Sequence, residues 1–80
     1  MGKKMAKKKN EVIINLDDML QRLKALRKDR NLKEEHLAHE LGIDTDTYIG
    51  KEKGSVPFTV KEWLRVSIVM NVRLSYFITG

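Results

Sequence analysis

At 80 residues and 9.3 kDa, with no cysteine, the chain holds one small domain that has to be stable without disulfides or thiolate metal sites. A domain of this size buries only about 60% of the surface its unfolded chain exposes, which excludes a large enzyme with a deep cleft. The net charge of +5 points to an anionic partner; 41% hydrophobic residues, and no apolar run near the ~20 residues of a membrane span, predict a chain that stays in water.

The excess charge sits at one end. Lys3, Lys4, Lys7, Lys8 and Lys9 precede Asn10 with no acid among them, which leaves basic and acidic side chains equal in number downstream. The part expected to fold is therefore neutral, and the lysine run must supply most of any long-range attraction to phosphate. Mutual repulsion and the lack of apolar periodicity predict a disordered basic arm over residues 1–14, ahead of a domain spanning residues 15–80. The arm reads either as a nucleic-acid-binding extension using Lys7, Lys8 and Lys9 or as a solubilising extension. Its start lacks the apolar core of a secretory leader, and Ala6 stands where myristoylation wants a hydroxyl, so neither secretion nor lipid anchoring is expected.

Val12, Ile13 and Ile14 form an apolar patch suited to lie against the domain, and Asn15 is a candidate N-cap. Leu16, Leu20, Leu23 and Leu26 then recur at helical spacing, which predicts a first helix to about Arg30 with these leucines on its inner face. A second helix is predicted from Leu32 to Leu41, burying Leu37, Ala38 and Leu41, and Gly42 supplies the left-handed residue for a tight turn. Asp44 caps a short third helix with Thr45, Asp46 and Thr47 in its first turn, Tyr48 in the core with its hydroxyl at the rim, and Gly54 at its end. Pro57 marks the following loop and Phe58 reads as core. Thr59-Val60-Lys61-Glu62 is a capping box for a fourth helix that is expected to bury Val60, Trp63, Leu64, Ser67 and Ile68 and to stop near Asn71. Leu74 to Ile78 adds a final helical turn or two with Tyr76 and Phe77. The fold class is all-α, with five helices and no strands.

Two helices joined by a tight glycine turn within such a domain form a helix-turn-helix, whose second helix can enter a DNA major groove. Three stretches carry a family likeness: Leu32-Lys33-Glu34-Glu35-His36-Leu37-Ala38, Leu41-Gly42-Ile43, and Glu52-Lys53-Gly54. The ending Leu74-Ser75-Tyr76-Phe77-Ile78-Thr79-Gly80 adds a fourth. From Leu16 onward the chain resembles the lambda-repressor-like helix-turn-helix domains of phage repressors, Cro proteins and XRE-type regulators. The resemblance implies a compact five-helix bundle that binds double-stranded DNA, commonly as a homodimer, here through the final helix around Tyr76 and Phe77. It also implies that Arg27 pairs with Glu52 to hold the recognition helix against the scaffold.

By that resemblance Thr45, Asp46, Thr47 and Gly50 face base edges, though none is the arginine, asparagine or glutamine that reads bases best. Asp46 can accept from cytosine N4, and a threonine can touch a thymine methyl. Asp44 and Asp46 are equally explained as acids that stabilise the positive end of a helix. Lys51 and Lys53 are the better candidates for phosphate contact. Gly50 costs helix stability unless another backbone, of DNA or protein, approaches closely there. At the entry to the second helix, Lys33 and Glu34 depart from the family pattern of a small cap followed by glutamine. Lys33 offsets a carboxylate that repels phosphate, and Glu34 and Glu35 also suit a helix N-terminus in their own right.

His36 and His39 lie three apart without a third ligand, so they are read as solvated and no metal is expected. No nucleophile, base and orienting group can be assembled and no phosphate-cradling glycine loop is present, so neither an enzyme nor a cofactor is expected. The preferred expectation is a sequence-specific DNA-binding regulator of repressor type in the bacterial cytoplasm or nucleoid. In it the third helix enters the major groove and the lysine arm follows phosphates. The alternative is a helix-turn-helix scaffold that acts on a protein partner, as an antirepressor or antitoxin-like subunit, with weak or no DNA recognition.

Overall fold

The structure is a computed structural model, and it describes residues 16–78. The expected arm, with Lys7, Lys8 and Lys9, the apolar patch at Val12–Ile14, the Asn15 cap and Thr79-Gly80 lie outside the described residues. Four α-helices, with no strand among the described residues, are followed by a short 3₁₀ segment. They are α1 (Leu16–Asp29), α2 (Glu34–Leu41), α3 (Thr45–Lys53) and α4 (Val60–Met70). The last element expected as a helix is the 3₁₀ segment Leu74–Phe77. Its bonds from Tyr76 N to Arg73 O and from Ile78 N to Ser75 O span three residues, because four residues cannot close an α-helical ladder.

Local chemistry explains each boundary. Asp17 and Asp18 open α1 and Arg27 and Lys28 close it, each sign matching the helix dipole. The chain then reverses through Asn31 at φ 57°, a left-handed position that asparagine tolerates. Gly42 at φ 72° ends α2, and its amide returns to carbonyls of Ala38 and His39, so only residues 42–44 separate α2 from α3. The capping box opens α4: Thr59 Oγ1 accepts from Glu62 N at 3.1 Å and Glu62 Oε1 accepts from Thr59 N at 2.9 Å. Asn71, at φ 55°, ends it.

Packing gathers one core. α2 lies against α3 and α4, α1 lies against α3 and the 3₁₀ segment, and the 3₁₀ segment also meets α4. Met19, Leu23, Leu26, Leu37, Ala38, Tyr48, Trp63, Val66, Met70 and Phe77 are buried, and half-buried apolar side chains including Leu20, Leu41 and Phe58 pack around them. Rings run through the middle: Tyr48 lies 6.1 Å from Phe58, Phe58 4.7 Å from Trp63 and Trp63 5.3 Å from Phe77. These tilted and edge-on pairs join α3, the following loop, α4 and the 3₁₀ segment. No helix among the described residues is long and apolar enough to cross a membrane.

Two helices face differently from expectation. In α4 the buried stripe is Trp63, Val66, Ser67 and Met70, whereas Val60 and Ile68 are 73% and 69% exposed and Leu64 is 45% exposed. Both stripes have helical spacing, and the one carrying Trp63 faces inward because that ring fills the space between Phe58 and Phe77. In α1, Met19 is buried where Leu16 was expected. Leu16 instead sits at the rim of a groove that it lines with Leu20, Val56, Pro57, Phe58 and Trp63.

Leu23→Ala should lower unfolding free energy by about 2–5 kcal/mol, because a fully buried leucine leaves a cavity. Val60→Ser and Ile68→Ser should each shift it by no more than about 0.5 kcal/mol. Urea titration of dilute protein, followed by circular dichroism, measures both; a large loss from Val60→Ser would mean that the other stripe is the core.

Candidate nucleic-acid interface

The third helix is short and has little apolar surface of its own. Tyr48, Lys51 and Glu52 are its buried residues, so polar side chains hold most of its inner face. An unpaired charge there would cost several kcal/mol, and the fold supplies partners for each. Among the described residues no buried side-chain nitrogen or oxygen lacks a hydrogen bond.

One anchor joins α3 to α1. Arg27 Nε donates to Glu52 Oε2 at 2.9 Å and Arg27 Nη2 donates to Glu52 Oε1 at 3.1 Å, a bidentate and buried pair. The remaining Nη1 donates to Leu32 O at 2.9 Å, in the turn that leads to α2. Tyr48 completes the cluster by donating its hydroxyl to Glu52 Oε2 at 2.7 Å. Tyr48 is therefore wholly buried, and its hydroxyl lies in the core rather than at the expected rim. Burial first, and the Glu52 carboxylate next, push this phenol above its ordinary pKa, so it remains a neutral donor. The hydrogen bond to Glu52 outweighs burial at Arg27 and raises the pKa of the guanidinium further.

The second anchor joins α3 to α4. Lys51 Nζ donates to Pro57 O at 2.9 Å and to Glu62 Oε1 at 2.8 Å, and stands 5.7 Å from the centre of the Phe58 ring. This corrects the expectation that Lys51 reaches a phosphate, because its charged end is enclosed by the loop after α3 and is only 6% exposed with the rest of the residue. Gly50 also has an internal reason. A side chain there would meet Val56 Cγ2 at 3.3 Å, and Gly50 O accepts from Ser55 N at 2.8 Å and Val56 N at 3.2 Å. The backbone that approaches Gly50 is its own loop.

What faces outward is smaller and more acidic. Asp46 and Lys53 are exposed, whereas Thr45, Thr47 and Gly50 are half-buried. Thr47 donates its hydroxyl to Asp44 Oδ1, which holds that exposed carboxyl below the usual aspartate range. Lys33 is exposed at the N-cap of α2 in extended conformation. Beside it the Glu34 carboxylate lies 3.8 Å from Arg27 Nη2, so it answers the buried guanidinium as well as the helix terminus. The structure thus brings Lys33, Glu34, Thr45, Asp46, Thr47 and Lys53 to the helices flanking one three-residue turn. Of these only Lys33, Asp46 and Lys53 are exposed, while Lys51 is enclosed and Gly50 is covered by its own loop.

His36 and His39 are exposed, and no group of three or more candidate metal ligands occurs among the described residues. Phe77 is fully buried, so it cannot supply the expected dimer contact, while Tyr76 stays 44% exposed beside it. The Lys51–Glu62 bridge joins two helices that no sequence motif links. Its only sequence signal is the capping-box glutamate, whose partner stands eleven residues earlier across a loop. No family model, curated protein or solved structure matches the chain.

Arg27→Met should cost about 3–5 kcal/mol, because it strands the Glu52 carboxylate in the core, and Tyr48→Phe about 1.5–3 kcal/mol. Chemical unfolding of each variant checks these values. Burial raises the Glu62 pKa, but the Lys51 ammonium and the Thr59 amide outweigh it and set it below the ordinary glutamate value of 4.5. A depressed carboxyl stabilises the fold fully above its unfolded value and stops doing so as pH falls through the folded one. Stability should therefore fall below about pH 4.5, and Glu62→Gln should flatten that slope in thermal unfolding measured between pH 3 and 7.

Proposed function

We propose that the chain is a small, non-enzymatic, sequence-specific DNA-binding regulator of repressor type, with a lambda-repressor-like helix-turn-helix made of α2 and α3. On this reading it works as a homodimer on double-stranded DNA in the bacterial cytoplasm or nucleoid, without a cofactor. The observation that carries the reading is the way α3 is held. Its inner face is fixed by Arg27 and Glu62 through two polar anchors, and in its first turn Asp46 is exposed beside a three-residue turn. A helix pinned from behind and open in front is what major-groove entry requires.

The division of labour follows from the charges. Thr45, Asp46 and Thr47 meet base edges, with Asp46 accepting from cytosine N4 and the threonines meeting thymine methyls. Lys33 and Lys53 contact phosphates, and Lys7, Lys8 and Lys9 follow the neighbouring backbone. Glu34 tempers the approach of phosphate and keeps the α2 entrance bound to Arg27. With Lys33 and Lys53 the folded-surface lysines assigned to phosphate, most of the binding free energy comes from the lysine run.

A second reading draws on one observation. Lys51 is enclosed, whereas Asp44 and Asp46 are exposed at the start of α3, an acidic surface that also suits a basic protein partner. In that reading the scaffold is an antirepressor or an antitoxin-like subunit.

Titration of duplexes selected from a random pool, at several salt concentrations, separates the two. The full chain and a form lacking residues 1–9 should prefer the same duplex, and removal of five lysines should flatten the salt slope by about four or five units. Lys33→Ala and Lys53→Ala should each flatten it by about 0.9 without changing the preferred sequence. If the shortened chain ignores every duplex in the pool, the protein-interaction reading replaces the regulator.

A further inference from the structure

A groove that no described residue fills runs between the start of α1 and the loop that follows α3. Leu16, Leu20, Val56, Pro57, Phe58 and Trp63 give it apolar walls around a volume of about 230 Å³. On its rim Leu16 and Val56 are 61% and 39% exposed, so apolar surface that burial would stabilise is left open. We propose that this groove is the seat of Val12, Ile13 and Ile14 of the same chain, and that their docking fixes where the lysine arm leaves the domain. The inference rests on the regulator reading only for what the arm does once it is placed.

The point at which the described residues begin identifies the occupant. Leu16 is both the first residue of α1 and part of the groove wall, and Ile14 stands two residues before it. The four residues from Val12 to Leu16 span at most about 14 Å, so the three aliphatic side chains are confined to the neighbourhood of this rim. The start of the helix also turns them the right way. With Asn15 at the N-cap, Ile14 takes the position whose side chain folds back against the fourth helical residue, here Met19. Met19 is buried and shares one side of α1 with Leu16 and Leu20. A chain folded back on that side runs along the groove instead of away from the helix end.

Size and chemistry agree with this seat. An apolar cavity of ~150 Å³ accepts a benzene-sized group, so about 230 Å³ has room for one or two branched aliphatic side chains. The floor is already closed, because a side chain at Gly54 would come within 3.3 Å of Leu20 Cδ1 where α1 and the loop meet. Lys51 reaches the wall, but its ammonium is committed to Pro57 O and Glu62 Oε1, so an apolar segment can cover it without stranding a charge. Asp17 on the rim is exposed and keeps its carboxylate in water.

Docking there has a consequence for the arm. Lys9 stands three residues before Val12, a span of at most about 11 Å, so Lys7, Lys8 and Lys9 set out from beside Gly54, the residue that follows Lys53. In the regulator reading this holds the arm at a raised effective concentration next to the phosphates that Lys53 approaches.

Trp63 is the single tryptophan and lines the groove, so its fluorescence reports on the occupant. Val12→Ser, Ile13→Ser and Ile14→Ser combined in the full chain should move Trp63 emission to longer wavelength and increase its quenching by acrylamide, with the circular dichroism spectrum unchanged. The thermal midpoint should fall by at least about 4 °C. Because the chain has no cysteine, introduced pairs can map the seat. Val56→Cys combined in turn with Val12→Cys, Ile13→Cys and Ile14→Cys should close an intramolecular disulfide in at least one pair under mild oxidation, since that bond needs Cα atoms within about 7 Å. Ile68→Cys, on the outer side of α4, should close none with the same three.

Three results overturn the proposal. Emission and midpoint that the serine substitutions leave unmoved give the groove to a foreign ligand or to none. Disulfides that form with Ile68→Cys in place of Val56→Cys move the segment to the outer side of α4. Disulfides that form only between chains put it in a neighbour's groove. None of these measurements uses DNA, so failure of the regulator reading shows separately, as a chain that selects no duplex while the bond to Val56→Cys still closes.

Discussion

A guanidinium in the core has to be answered on every side, and the architecture around α3 follows from how Arg27 is answered. Two of its nitrogens hold Glu52 and the third holds the carbonyl of Leu32, so one side chain of α1 fixes α3 and the turn entering α2 together. Replacing such a pair with well-packed apolar groups is often neutral or stabilising, whereas removing one partner is costly. Its value here is positional. Bidentate geometry sets where α3 lies and how it is turned, which an apolar contact would specify less tightly.

Lys51 acts similarly at the other end of the inner face. By binding Pro57 O and Glu62 Oε1 it draws the loop after α3 onto the start of α4, and the loop in turn closes over Gly50. The cost falls on the outside, where a cation that the family resemblance would set against phosphate is spent on the fold. Of the side chains expected to face DNA on the folded domain, Lys33, Asp46 and Lys53 remain exposed. In the regulator reading, the lysine-rich start of the chain is what supplies most of the attraction to a polyanion.

The fourth helix shows how an apolar pattern can carry two messages. Trp63, Val66 and Met70 serve the core, whereas Val60, Leu64 and Ile68 face water in a single copy. A helix that is apolar on both sides of a domain this small marks either a strained composition or a contact.

Read without coordinates, the chain discloses its helices, because their signals are local. Gly42, Gly54 and Asn71 do take left-handed conformations, the Thr59-to-Glu62 capping box does form, and the spacing of Leu23 and Leu26 marks a buried face. The site was partly legible for the same reason: Thr45, Asp46 and Thr47 follow Asp44, which takes the N-cap position, although its carboxylate accepts from the Thr47 hydroxyl and makes no capping bond to the backbone. The tertiary structure alone decided which of two equally periodic stripes on α4 turned inward, that Lys51 is enclosed, and that Leu16 ends at a groove rim. Periodicity and capping depend on neighbours within about four residues, whereas burial and charge pairing depend on residues brought together by packing. Those partners are eleven apart for Lys51 and Glu62 and twenty-five for Arg27 and Glu52, separations over which local sequence rules carry no information.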